Sequence, residues 1–205
     1  MANTTFTGPV RSINGFEQIS KNATTGAITI VSGNKMATEA ATGAGIEGTA
    51  ETYITQVERF KSDTTTNVNL VKTTLMIDLT GLASSGANDI IGKAGTGVAY
   101  IGRVTTANTG VVFGVTMECF ETPAGGDPDI DLYSATEATG VEDSAIGDLT
   151  ETQIINSGDL AAGSRVAGGG IVADQYLYLV AGSATNADYT AGRLLITIHG
   201  YDVAS

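Results

Sequence analysis

Three aspartates alternate along a short acidic segment and are the best metal-binding candidates in the sequence. Asp127, Asp129 and Asp131 follow two glycines, and hard cations prefer carboxylate oxygens as ligands. The three side chains point the same way only if the segment is extended, and the segment lacks the central glycine and distant glutamate of a calcium-binding helix-loop-helix. We therefore predict a solvated acidic turn without a metal ion, and keep the three aspartates as weak cation candidates.

Few other residues offer catalytic chemistry. His199 is the only histidine and Cys119 the only cysteine. An imidazole base would need a nucleophile and an orienting acid brought from elsewhere, and the sequence has no Gly-x-Ser-x-Gly motif to supply the nucleophile. The apolar residues Met117 and Phe120 beside Cys119 are typical of a buried thiol. We predict that the protein is not an enzyme and needs no cofactor.

The charge balance restricts the partners. The 205 residues include 10 Lys and Arg against 22 Asp and Glu, which gives a net charge of −12. Such a chain is repelled by phosphate backbones and by anionic lipid, so we expect neither nucleic acid nor membrane as a partner. The first seven residues lack the cationic start and apolar run of a secretory signal, so we expect synthesis in a cytoplasm.

The elements that must position these residues are strands. The 27 glycines and the abundant threonine disfavour helices, while residues 71–79 and 193–199 place an apolar side chain at every second position. Clusters of Gly, Asn, Asp and Ser separate such segments. The predicted strands lie near residues 51–60, 68–79, 98–106, 111–121, 171–181 and 192–203. The fold class that this pattern predicts is an all-β, jelly-roll-like β-sandwich.

Two of these strands carry predictions about which side chains face the core. Strict alternation along 111–121 places one apolar set on a single face, namely Val111, Phe113, Val115, Met117 and Cys119. Val112 and Phe120 share the other face with Thr116 and Glu118, so the strand belongs in the middle of a sheet or under a subunit contact. In the last strand, Leu194, Ile196 and Ile198 should face inward and Thr197, His199 and Tyr201 outward.

The strand signal fades between residues 122 and 170, where the chain is acidic and rich in turn residues. The one helix candidate there spans residues 143–155, with a weak apolar stripe that Gly147 interrupts. We predict one or two helical turns at most, inside a long irregular segment that is a second candidate contact surface.

The first 45 residues form a predicted N-terminal arm, and residues 46–205 form the predicted β-sandwich domain. The arm is rich in Thr, Ser, Asn, Ala and Gly and has only isolated apolar anchors, so it cannot bury enough apolar surface to fold alone. An arm of this kind becomes ordered by lying against another surface. A flexible tail or a first edge strand is the alternative reading.

Several motifs resemble structural proteins of tailed bacteriophages, especially marine ones. The arm contains GPVRSINGF at 8–16 and NATTGA at 22–27, which resemble the start of such proteins. The body contains IDLTGL at 77–82, DIIG at 89–92, AYIG at 99–102, DIDLY at 129–133 and GRLLI at 192–196, which are similar to the body of the same proteins.

This resemblance implies a capsid decoration or cement protein, which forms a homotrimer on the outer surface of the virion and clamps neighbouring subunits of the major capsid protein. The arm residues expected to contact that partner are Phe6, Val10, Arg11, Ile13 and Phe16. The alternative is a virion fibre or tail-associated protein that binds a receptor or glycan. A pilus-like surface subunit and a hydrolase with a degenerate site are more remote alternatives.

Overall fold

The computed structural model describes residues 18–21, 28–32, 42–46, 50–61 and 67–204. The chain divides into two compact units, Met1–Met36 and Ala37–Ser205. In the first unit, β1 (Gln18–Lys21) and β2 (Ile28–Ser32) pair as an antiparallel two-stranded sheet. The boundary between the units falls nine residues before the predicted end of the arm at residue 45.

The second unit is a two-sheet β-sandwich, which confirms the predicted fold class. Its strands in chain order are β3 (Ala50–Lys61), β4 (Asn67–Asp78), β5 (Ala83–Ser84), β6 (Gly102–Val104), β7 (Val111–Ala124), β8 (Ile130–Ala135), β9 (Glu151–Ile155), β10 (Arg165–Gly168), β11 (Gln175–Ala181), β12 (Ala187–Asp188) and β13 (Ala191–Ala204). One short helix, α1 (Thr106–Thr109), begins after Thr105, whose hydroxyl accepts a hydrogen bond from the Asn108 N–H.

The larger sheet is antiparallel and has the order β10-β7-β13-β4-β3. The smaller sheet is also antiparallel, with the order β6-β11-β8-β9, and β5 and β12 form a separate two-stranded pair. Alternate side chains of the larger sheet and side chains of the smaller sheet meet in one hydrophobic core. Ile196 and Met117 of the larger sheet and Leu132 and Leu179 of the smaller sheet are completely buried in it.

Loops cover the second face of the smaller sheet, so β8 and much of β11 are buried on both sides. Tyr178 of β11 shows how these loops are attached. Its hydroxyl donates to the Glu137 carbonyl at 2.8 Å and accepts from the Gly140 N–H at 3.3 Å. Burial raises the pKa of this phenol to about 12, so Tyr178 remains a neutral donor at physiological pH.

The structure corrects several strand predictions. The segment 122–170 contains three strands, β8, β9 and β10, where we predicted irregular chain. Of the helix candidate at 143–155, only Ile146–Asp148 is helical, as a single 3-10 turn. This agrees with the prediction of one or two turns at most, but the candidate's span is too long, since β9 begins at Glu151. Of the strand predicted at 98–106, only β6 (Gly102–Val104) is present, and α1 begins at Thr106. Among the described residues, no helix is long and apolar enough to cross a membrane.

Glycine at position 200 allows β13 to pass close to the last residue of α1, Thr109. A Cβ placed at Gly200 would overlap the Thr109 carbonyl and would lie 3.3 Å from the Val111 carbonyl oxygen. Both obstacles belong to the backbone, so neither moves aside by a rotamer change.

We expect Gly200→Ala to destabilise the protein by roughly 1–3 kcal/mol, because the added methyl group overpacks a backbone crossing. The matched control is Gly147→Ala, since nothing lies within 4 Å of a Cβ at that position. The control should change the free energy of unfolding by less than about 0.5 kcal/mol. Urea unfolding followed by circular dichroism measures both changes, and equal effects would contradict the steric argument.

Candidate binding surface

A β-bulge in β7 changes which face of the sheet Val111, Val112 and Phe113 occupy, compared with strict alternation. Gly114 pairs with His199, but the next pair along the strands is Val112 with Gly200, so Phe113 is the extra residue of the bulge. Val112 is therefore buried, whereas Phe113 is 56% exposed and Val111 49% exposed. The prediction that Val111 and Phe113 share the face of Val115, Met117 and Cys119 is wrong for this reason.

The bulge creates an exposed cluster on the outer face of the larger sheet. The Phe113 ring lies 6.2 Å from the His199 ring and 6.4 Å from the Tyr201 ring, measured between centroids. Val111 pairs directly with Tyr201 across the strands. We call these four residues, Val111, Phe113, His199 and Tyr201, the aromatic patch. His199 and Tyr201 do lie on the outer face, as the alternation of β13 predicted.

The residues next to the aromatic patch in the sheet register include no carboxylate. His199 pairs with Lys72 of β4, and Tyr201 pairs with Leu70. The first acidic residue along these rows is Glu58 on β3, two strands from Tyr201. On the other side, the backbone of Gly169 and Gly170 continues from β10, and a Cβ at Gly170 would lie 3.6 Å from the Phe113 Cα.

The opposite end of the same sheet face is charged. Arg165 pairs with Glu118 at 3.0 Å, and Arg193 lies 3.5 Å from Asp78 and 3.6 Å from Glu121. Phe120 is 54% exposed beside these ion pairs. The outer face of the larger sheet therefore has an apolar end and a charged end, each with one exposed phenylalanine.

The carboxylate of Asp127 connects backbone segments. Asp127 is completely buried, and its carboxylate accepts hydrogen bonds from the Ser183 N–H, the Ser183 hydroxyl and the Asp129 N–H at 2.7–3.1 Å. Its own N–H donates to the Ser84 hydroxyl oxygen, and its carbonyl accepts from the Tyr189 hydroxyl. With these partners, Asp127 fastens three loops to one another.

The predicted solvated acidic turn is wrong, since Asp127 and Asp131 are buried and Asp131 lies in β8. The other two aspartates differ from Asp127 in their surroundings. Asp131 accepts hydrogen bonds from the Gln153 side chain at 2.8 Å and from the Ser157 N–H at 2.9 Å. One carboxylate oxygen of Asp129 is buried and has no hydrogen-bond partner among the described residues. The structure does not gather the three into a metal-binding group, and the described part of the chain contains no other cluster of three or more His, Cys, Asp or Glu suited to a metal ion.

The single cysteine lies in the core, as its neighbours predicted. Cys119 is 1% exposed, and its Sγ lies 3.2 Å from the Glu121 carbonyl oxygen. Burial raises the pKa of the thiol, which keeps it protonated and weakly nucleophilic.

The arm residues expected to contact a partner, namely Phe6, Val10, Arg11, Ile13 and Phe16, lie outside the described residues. Their role therefore remains a prediction. No family model matches the chain, and neither the curated proteins nor the solved structures include a significant match to it.

The aromatic patch is the surface that alternation missed. The alternation of β13 predicts the outer face correctly for His199 and Tyr201, whereas Thr197, also predicted to face outward, is buried. Alternation gives no indication of the bulge in β7. Gly114 beside Phe113 is the one local signal, since glycine within a strand often marks a bulge.

Asp129 gives a pH-dependent prediction. Burial raises its pKa, and the negative charges of Asp131, Asp127 and Asp159 raise it further, against one hydrogen bond from the Gly158 backbone. Because the pKa in the folded state exceeds the unfolded value near 3.8, folding favours the protonated acid. Stability from this group is thus present below that value and is lost as the pH rises through the folded pKa.

We expect Asp129→Asn to raise the free energy of unfolding at pH 7 by less than about 1 kcal/mol, since water still reaches part of the carboxylate. The gain should shrink toward pH 3, where the wild-type carboxyl is already protonated. Asp148→Asn removes the same charge at an exposed site and should leave the melting temperature unchanged. Thermal unfolding of the three proteins between pH 3 and pH 7 tests this, and an equal gain at both pH values would contradict it.

Proposed function

We propose that this chain is a virion structural protein that decorates the outside of a tailed-phage capsid and stabilises it by clamping neighbouring subunits of the major capsid protein. The observation that carries the proposal is the division of the chain into two units. We call the small N-terminal unit, Met1–Met36, the leader, and the β-sandwich with its own core, Ala37–Ser205, the body. A body and a leader of this kind suit a protein that attaches through the leader and projects the body outward.

The leader has the composition of an attachment segment. Its apolar residues Phe6, Val10, Ile13 and Phe16 are spaced among small polar residues, so an extended chain can place each in a separate pocket while its backbone pairs with a strand edge. Copies arranged around a symmetry axis, as in the proposed homotrimer, add avidity, and each contact can then be modest.

The charge of the body favours the outer surface of the shell. From residue 42 onward the chain has 20 Asp and Glu against 7 Lys and Arg. This surface repels packaged DNA and keeps decorated particles dispersed. In a position outside the capsid, the leader can bind the shell while the acidic body faces solvent.

Several chemistry-bearing residues of the described part stabilise loops or the core, which supports a structural role for them. Asp127 and Ser183 bond to each other, Asp131 bonds to Gln153 and Ser157, and Cys119 is buried. Each of these groups stabilises a loop or the core. A binding function, in contrast, needs only exposed surface and an extended segment.

A second candidate function, glycan or receptor binding, has one observation in its favour. Tyr100 and Tyr176 are partly exposed and pack edge to face, with centroids 5.0 Å apart. Sugar rings stack on tyrosine faces, but the Arg103 guanidinium already lies 5.2 Å from the centre of the Tyr176 ring and forms an ion pair with Asp174. The first candidate is therefore preferred.

We expect the triple substitution Phe6→Asp, Val10→Asp and Phe16→Asp to abolish binding to capsids while the body stays folded. The test mixes the purified full-length protein with expanded shells of the major capsid protein encoded by the same genome, followed by sedimentation and quantification of the bound protein. The affinity of the triple variant should fall at least about a hundredfold, because three apolar anchors are replaced by charges.

Val172→Asp is the control, since Val172 is 71% exposed on the body and the substitution adds one carboxylate outside the leader. It should bind shells as the wild type does. Undiminished binding by the triple variant would refute the role of the leader. Failure of the wild-type protein to bind shells, with binding to an immobilised glycan lost in Tyr100→Ala, would favour the second candidate.

A further inference from the structure

We propose that the aromatic patch is the surface through which one copy of this chain binds an acidic surface of a second copy. The partner is thus another molecule of the same chain, and the contact joins two different surfaces. This inference deepens the proposed homotrimer, on which it rests for the expectation of an oligomer, by assigning the contact to named residues of the body; the contact does not depend on whether the leader binds a shell.

The first step is the exposure of apolar area that folding does not use. The aromatic patch combines an aromatic side chain that is 56% exposed, an aliphatic one that is 49% exposed, and two further partly exposed rings. Grouped aromatic and aliphatic side chains on an exposed sheet face are typical of protein–protein contact surfaces, whereas single exposed apolar residues need no explanation. Phe113, at the centre of the three rings, is the natural anchor.

The second step is charge. The charged residue that borders the aromatic patch in the register is Lys72, and the exposed Lys72 side chain lies beside His199 on the neighbouring strand. The body as a whole has a large excess of carboxylates, 20 acidic residues against 7 basic ones, Lys72 included, from residue 42 onward. A cationic and apolar surface on an anionic protein is therefore complementary to most of that protein's remaining surface.

The third step decides how the two copies meet. A symmetric contact of patch with patch would offer Lys72 no carboxylate, because the patch contains none, and would leave the acidic surfaces facing solvent. A contact of the aromatic patch with an acidic surface pairs opposite charges and buries Phe113 against the partner. Contacts between two different surfaces close into rings when the rotation between copies permits it, which fits the expected homotrimer.

The sheet supplies a matched pair of variants for the test. Phe113 and Phe120 lie in the same strand and are 56% and 54% exposed on the same sheet face, but Phe120 lies beside the ion pairs of Arg193. The experiment measures the mass of the full-length wild type, Phe113→Asp, Phe120→Asp and Lys72→Glu by sedimentation velocity over a range of micromolar concentrations. Far-ultraviolet circular dichroism and melting temperature establish that each variant is folded.

We expect the wild type to form a discrete oligomer and Phe113→Asp to weaken its assembly at least about tenfold. Lys72→Glu should weaken assembly in the same direction, because it removes the attraction to a carboxylate-rich surface. Phe120→Asp, which adds the same charge at the charged end of the sheet, should assemble as the wild type does.

Any of the following results would overturn the inference: a monomeric wild type, assembly that is unchanged in a folded Phe113→Asp, or stronger assembly in Lys72→Glu. Equal weakening by Phe120→Asp would also overturn it, since the effect would then come from added charge alone. The capsid experiment fails or succeeds separately, because it depends on the leader substitutions and not on Phe113.

Discussion

The pairing of β13 on both of its sides is the interaction on which the rest of the structure depends. From Arg193 to Tyr201 this strand hydrogen-bonds with β7 on one side and β4 on the other. Its inward residues Leu194, Ile196 and Ile198 are almost completely buried and meet the smaller sheet in the core. Because register in a sheet fixes which face each side chain takes, the placement of β13 also decides the facing of its neighbours.

The crossing at Gly200 connects this pairing to the outer surface. The strand passes so close to the Thr109 carbonyl that only glycine fits, and the register of β7 shifts at the same level, between His199 and Gly200. That shift turns Phe113 and Val111 outward beside His199 and Tyr201. The aromatic patch is therefore a consequence of backbone packing at the end of β13.

Sequence periodicity predicts the long strands well, because β4, β7 and β13 each have one core face. Alternation is lost in β8, where Asp131 and Ser134 are buried along with their apolar neighbours; loops cover its second face, and local sequence does not reveal that cover. The helix candidate at 143–155 is limited to one turn because Ile146 and Leu149 contact the core from that turn, and the β-branched residues that follow extend into β9. The bulge at Phe113 lies opposite the crossing at Gly200, which is distant in the chain, so apart from Gly114 no local pattern in β7 predicts that Val111 and Phe113 face outward.

The two edges of the larger sheet are protected in different ways. At one edge, β10 approaches β9 so closely that a Cβ at Gly168 would overlap the Ile154 carbonyl, which closes the sandwich on that side. At the other edge, β3 has twelve residues and pairs only with β4 among the described strands. Its sequence includes Glu51, Glu58, Arg59 and Lys61, and charges along an edge strand oppose indiscriminate strand addition. A body that limits association at its edges and carries a strong net charge can expose Phe113 on one face without aggregating, because a partner must match both the apolar rings and the neighbouring Lys72.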